Sequence, residues 1–218
     1  MTLHELSNKK NESQKTDSDL NNLFHYQKVA FLVSTGFTET DFSSTQKILR
    51  SAGAVNKIIS TDTGLVTSWQ KEQWGHNYAV DLPVNKALAA DFSMCILPGG
   101  ERSVNKLGVS AHTKRILNGF LSCFKPVLAI NEGADLLRRY AKEQDISLDL
   151  SSSQCVNISL SDITTANTSG EQAACDECKV TYINNCALVS IPLNRWNDAY
   201  IKKVLCDLGE YITHPQAA

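Results

Sequence analysis

The residues best suited to chemistry sit where apolar stretches of this sequence break off. Ile130-Asn131-Glu132-Gly133 follows Pro126–Ile130 and precedes a run with helical spacing. A buried strand that turns into a helix through X-X-Gly holds its first turn residue in a strained conformation, with the side chain exposed above the sheet. Asn131 takes that place, and Asn tolerates positive φ better than most residues. The helix start beyond it offers unpaired N–H groups and positive dipole potential, suited to an anion or oxyanion. Leu97-Pro-Gly99-Gly100 brings further backbone donors close. Thr35-Gly-Phe-Thr-Glu-Thr-Asp41 supplies acids. The expected pocket therefore comprises Asp41, Gly99, Gly100, Asn131, Glu132 and Gly133, with the five from Gly99 to Gly133 as ligand-binding positions.

What this pocket lacks is a nucleophile. A thiolate works because a helix N-terminus lowers its pKa and sulfur is intrinsically nucleophilic; an amide has neither property. After Gly133 the one histidine is His214, near the end of the sequence. Asp41 and Glu132 would suit general acid–base catalysis if they faced one cleft. The simpler reading places Glu132 in a first helical turn, favoured by the helix dipole, and has Asp41 accept a hydrogen bond from the Asn131 amide.

Other candidates weigh less. Cys175-Asp-Glu-Cys178 spells C-x-x-C, either a redox pair or half a zinc site. No second pair at zinc spacing accompanies it, and idle thiols are the plainer reading. Cys95, Cys123 and Cys206 lie in apolar surroundings and read as small core residues. His112 reads as a helix-start histidine. Trp69, Trp74 and Tyr78 gather on a hairpin that either packs on the sheet or meets a partner.

The elements that must position these residues follow from hydrophobic patterning. Lys28–Ser34 is a continuous apolar run, the mark of a strand buried on both faces. A helix is expected over Glu39–Ala52, with Gly53 at its C-terminal cap, and Val55–Ser60 is a second strand. This is a βαβ unit with a right-handed crossover. Gly64–Trp69 and His76–Asp81 form an antiparallel pair. Further strands are expected at Phe92–Leu97, Pro126–Ile130 and Cys186–Ile191, and further helices at about Ser110–Phe124, Ala134–Lys142 and Arg195–Ile212. Residues 145–185 carry weak strand signals near Cys155–Ile158 and Val180–Ile183. Residues 1–27 read as a flexible polar tail whose Leu20, Leu23 and Phe24 have the spacing of a docking helix. Residues 28–213 then form one domain and 214–218 a terminal tail. The alternation implies a three-layer α/β/α sandwich, with a flavodoxin-like, mostly parallel sheet and a small antiparallel hairpin.

Composition narrows the function classes. The 218 residues are 42% hydrophobic and 20% charged, with 21 basic and 23 acidic side chains. That balance leaves no basic excess for wrapping nucleic acid or anionic lipid. No apolar run is long enough to cross a bilayer, and the N-terminus has no signal-like apolar stretch. Seven cysteines without an export signal suggest reduced thiols and a cytoplasmic location.

The run from Lys28 to Leu137 resembles the PfpI/ThiJ superfamily, with its class I glutamine amidotransferase-like fold. The resemblance rests on the first strand, Gly36-Phe37 with acids after it, Ala52-Gly53, Gly64-Leu-Val, Asp91-Phe92, Leu97-Pro-Gly-Gly100, Lys125-Pro126-Val127 and Ile130-X-X-Gly133. Within that group it looks closest to the C-terminal domain of large-subunit catalases, through Ala52-Gly-Ala54 and Glu132-Gly-Ala-Asp-Leu-Leu137. The resemblance implies a Cys, usually followed by His, where this sequence has Asn131-Glu132. The loop acid maps to Asp41 and an outer acid position to Thr38. The expected function is accordingly a non-catalytic domain with a structural, binding or regulatory role, as a homodimer or higher homo-oligomer. It would need no cofactor or metal and have no nucleic-acid or membrane partner, though a small-molecule ligand is possible. The alternatives are a hydrolase or lyase using Asp41 and Glu132, and a thiol or metal switch at Cys175 and Cys178.

Overall fold

The computed structural model describes residues 18–143, 154–157, 179–183, 186–191 and 196–213. The central strand β1 (Lys28–Val33) alternates its side chains between two apolar layers. Val29, Phe31 and Val33 face one layer, whereas Ala30 and Leu32 face the other, as the two-residue period of a strand requires. Because both faces are buried, the run reads as continuously apolar.

Around β1 the large sheet has the order β6-β3-β1-β7-β8-β11-β10-β9. Its members are β3 (Val55–Ser60), β6 (Leu82–Pro83), β7 (Met94–Leu97), β8 (Val127–Ile130), β9 (Gln154–Asn157), β10 (Lys179–Ile183) and β11 (Cys186–Ser190). The pairings from β6 through β11 are parallel, with Phe31 opposite Ile58 on one side and Ile96 on the other. β10 joins β11 and β9 antiparallel. The order reverses between β1 and β7, and the crevice beyond their carboxyl ends is where open α/β sheets bind ligands.

On one face lie α1 (helical residues 18–24), α2 (Glu39–Ser51) and α6 (Asp198–Thr213); on the other lie α3 (Glu101–Val109), α4 (Ala111–Ser122) and α5 (Glu132–Glu143). The three-layer α/β/α sandwich is therefore present. Leu20 and Phe24 of α1 are fully buried among α2 and α6 side chains. The docking helix exists, and the packed chain thus begins ahead of Lys28, not at it.

Three further differences from the sequence reading have physical causes. The stretch after Gly100 is not a loop leading to one helix but a helix of its own, α3, whose Val104 and Leu107 are buried. Its short length and intervening Asn105, Lys106 and Gly108 hide that periodicity. Ser110 both ends α3 and caps α4, its hydroxyl accepting from the Thr113 N–H. Secondly, Phe37–Thr38 (β2) joins β4 (Leu65–Gln70) and β5 (Gln73–Ala79) in a three-stranded sheet. Thirdly, Cys123 is exposed, at the end of α4, while Cys95 and Cys186 are buried in strands; burial pushes both strand thiols well up in pKa. Among the described residues no helix is long and apolar enough to cross a membrane.

Candidate functional site

The elbow forms as its sequence implies. Asn131, between β8 and α5, has φ +50°, the left-handed region that Asn tolerates. Its N–H donates to the Val189 carbonyl at 2.7 Å, and its carbonyl accepts from the Ala134 N–H at 2.9 Å. The side chain is held at both ends. Nδ2 donates to Asp41 Oδ2 at 3.2 Å, while Oδ1 accepts from the Ile191 N–H at 2.8 Å. Asn131 thus ties β8, β11 and α2 together, using the amide as a two-ended clamp that a thiol cannot be.

The glycine loop meets the same group. Gly99 N–H donates to Asp41 Oδ2 at 3.0 Å and Gly100 N–H to Glu132 Oε2 at 2.9 Å. The two donors that would face an oxyanion are therefore engaged by the chain's own carboxylates. Space is equally tight. A methyl group at Gly99 would lie 2.4 Å from Glu132 Oε2 and 2.7 Å from Asp41 Oδ2, and one at Gly133 would lie 2.3 Å from the Leu97 carbonyl oxygen. Gly133 serves close helix–strand packing.

Asp41 is 2% exposed. Burial pushes its carboxyl up to about 7, the hydrogen bonds from Gly99 and Asn131 oppose this, and the neighbouring Glu132 charge adds to the rise. Glu132 lies at the exposed mouth, in the first turn of α5. Of the sequence-derived positions, the structure gathers Asp41, Gly99, Gly100, Asn131 and Glu132 into one hydrogen-bonded group. Asp41 accepts from the Asn131 amide, as the simpler reading holds. Chemically this group offers a carboxyl whose pKa burial raises to about 7, and no thiol or hydroxyl nucleophile.

A second polar centre is not apparent from the sequence. Glu39, two residues before Asp41, is 7% exposed and accepts from Ser68 Oγ at 2.7 Å and from the His76 N–H at 3.4 Å. It also pairs with the His76 ring and meets Tyr78 Oη at 3.5 Å. Burial raises the Glu39 pKa, but the Ser68 and His76 hydrogen bonds outweigh it and hold the carboxyl below its usual value. The signal available was Glu39-Thr-Asp41 at a helix start, where acids are commonplace. Only the fold of β4 and β5 over α2 separates the two carboxylates into different environments.

The aromatic group divides. Tyr78 packs inward, 4.8 Å from the Phe42 ring, whereas Trp69 and Trp74 meet edge-on at 5.0 Å with Arg102 stacked 3.8 Å over Trp69. His112 is exposed. Cys175 and Cys178 lie outside the described residues. Among the described residues no cluster of three or more His, Cys, Asp or Glu side chains is arranged to hold a metal.

Comparison with known proteins agrees with this architecture. The family model of the DJ-1/PfpI family matches residues 27–143. No curated protein matches the sequence. A ThiJ/PfpI domain protein from Brachyspira murdochii superposes with a TM-score of 0.57 at 18% identity, over 84% of this chain and 96% of that one. Oxidized DJ-1 of Toxoplasma gondii gives a TM-score of 0.54 at 17% identity, over 87% and 97% of the two chains. A two-domain protein from Anabaena variabilis, with DJ-1/ThiJ/PfpI-like and ferritin-like domains, gives 0.58 at 17% identity over 83% of this chain. This chain spans about half of that protein, 47% of its length. These likenesses share the fold, and the family match covers more than half the sequence: the chain belongs to the DJ-1/PfpI family.

Proposed function

We propose that this protein is a non-catalytic DJ-1/PfpI-family domain with a structural, binding or regulatory role. The observation that carries this reading is the closure of the elbow by its own side chains. Asn131 stands where the superfamily resemblance implies cysteine, and its amide is committed to Asp41 and Ile191. The Gly99 and Gly100 donors are committed to Asp41 and Glu132. The likeness of Glu132–Leu137 to the C-terminal domain of large-subunit catalases, which also lacks the elbow cysteine, supports the same reading. Trp74 and Leu65, more than half exposed on the β4–β5 hairpin, support a partner face for a homo-oligomer. The test is a panel of glyoxalase, amidase and peptidase assays beside a light-scattering mass. Turnover that disappears in Asn131→Ala would overturn the reading.

One observation favours a second reading, in which Asp41 and Glu132 act as acid and base in a hydrolase or lyase. A carboxyl with a pKa of about 7 suits proton transfer at neutral pH. That reading requires Glu132→Gln to abolish turnover with little change in thermal stability.

A further inference from the structure

On the face of α3, α4 and α5 remote from α2 and α6, a groove of about 320 Å³ opens between the three helices. Its apolar walls come from Leu107, Leu117 and Leu136. Gly108, inside α3, leaves the groove open: a side chain there would begin 3.4 Å from Leu136 and 3.9 Å from the Arg139 guanidinium. Glycine inside a helix costs roughly 0.5–1 kcal/mol relative to alanine, and with φ negative this one serves no turn. The volume is at the lower end of the range for small-molecule sites, roughly 300–1,000 Å³.

Two polar features of the lining are unmatched. Thr113 is 1% exposed, lines the groove, and its Oγ1 has no hydrogen-bond partner among the described residues. A buried hydroxyl left in this state is free to bond a ligand that enters the groove. Arg139 pairs with no acid among the described residues, whereas its neighbour Arg138 pairs with Asp135 at 2.8 Å. The remaining charges at the rim, Lys114 and Glu143, cancel in an ion pair. Among the described residues the groove therefore carries one uncompensated positive charge, an orphan hydroxyl and an aliphatic floor.

We propose that this groove binds a small monocarboxylate with an apolar body. The carboxylate pairs with Arg139, whose planar fork matches it bidentately. The Thr113 hydroxyl donates to the same head group after rotation about χ1, and the aliphatic or aromatic body lies over Gly108 against the three leucines. The site shares α5 with the elbow but uses none of its residues, so it stands or falls separately from the reading of the elbow as non-catalytic.

The experiment is a titration of the full chain with hexanoate, with hexanol as the uncharged control, followed by calorimetry and by amide chemical shifts. Saturable hexanoate binding is expected with a dissociation constant on the order of 1 mM. Arg139→Gln, at an exposed position that leaves folding intact, should weaken it about ten-fold, the loss expected for one charge-assisted contact. Gly108→Leu should abolish binding, and Thr113→Val should weaken it several-fold. Absence of saturable binding overturns the proposal. So does hexanoate affinity unchanged in Arg139→Gln, or hexanol binding as tightly as hexanoate.

Discussion

Asn131 and Asp41, 90 positions apart, meet across 3.2 Å at the centre of the elbow, with the amide nitrogen donating to the carboxylate. In the family resemblance this is where a thiol and a loop acid would stand. Here the same two positions form a structural joint that also takes in Gly99 and Ile191. The exchange of a reactive pair for a hydrogen-bonded one has measurable consequences.

Removing the clamp should destabilise the fold. Asn131→Ala leaves the Ile191 N–H and one Asp41 bond unmatched and puts a less tolerant residue at φ +50°. Each unmatched buried partner costs about 1–3 kcal/mol. A urea midpoint clearly below wild type is expected, and an unchanged midpoint would show that the clamp carries no stability. Asn131→Cys should be destabilised similarly, without acquiring hydrolytic turnover.

Asp41 makes stability depend on pH in a definite direction. Its folded pKa of about 7 lies above the ordinary 3.8, so the folded state binds the extra proton between those values. The resulting stabilisation is complete below about pH 4 and is lost as pH rises through 7, by an amount on the order of a few kcal/mol. Asp41→Asn, which keeps an acceptor for Gly99, should remove this dependence. Parallel pH profiles of unfolding for wild type and Asp41→Asn would refute the assignment.

Glu39 behaves oppositely. Its folded pKa lies below the ordinary value because Ser68 and His76 outweigh burial, so its contribution is present above about pH 4.5 and fades as pH falls. Glu39→Gln should be less stable than wild type at pH 7, with the two converging in acid. Chemical denaturation at pH 7 and pH 3.5 decides this, and a constant difference counts against it.

Gly133 at the elbow and Gly64 in the turn before β4 rank by what surrounds them. Gly133→Ala drives a methyl group to 2.3 Å from a strand carbonyl and should prevent normal folding, seen as loss of soluble protein. Gly64→Ala, at φ +83° with open space around it, should cost only about 1–2 kcal/mol from backbone strain. Comparable losses of soluble protein in the two variants would contradict the close packing of α5 on β7.

Much of this protein is determined by sequence alone. Continuous apolar runs such as Lys28–Val33, short and rich in β-branched and aromatic residues, read as strands buried on two faces, and their alternation with helical periodicity points to a layered α/β sheet. Asn131 ahead of Glu132-Gly133 announces an elbow without a nucleophile, because the chemistry of an amide does not depend on its surroundings. Elements with diluted periodicity, such as α3 and the two-residue β2, escape that logic. Tertiary structure alone decides the electrostatics. Glu39 and Asp41 share one helix turn and nearly one chemistry, yet hydrogen bonds from β4 and β5 keep the first ionised while burial beside Glu132 raises the second toward neutrality. The partners that set those opposite shifts come from strands and loops distant in the chain, so no local pattern encodes them.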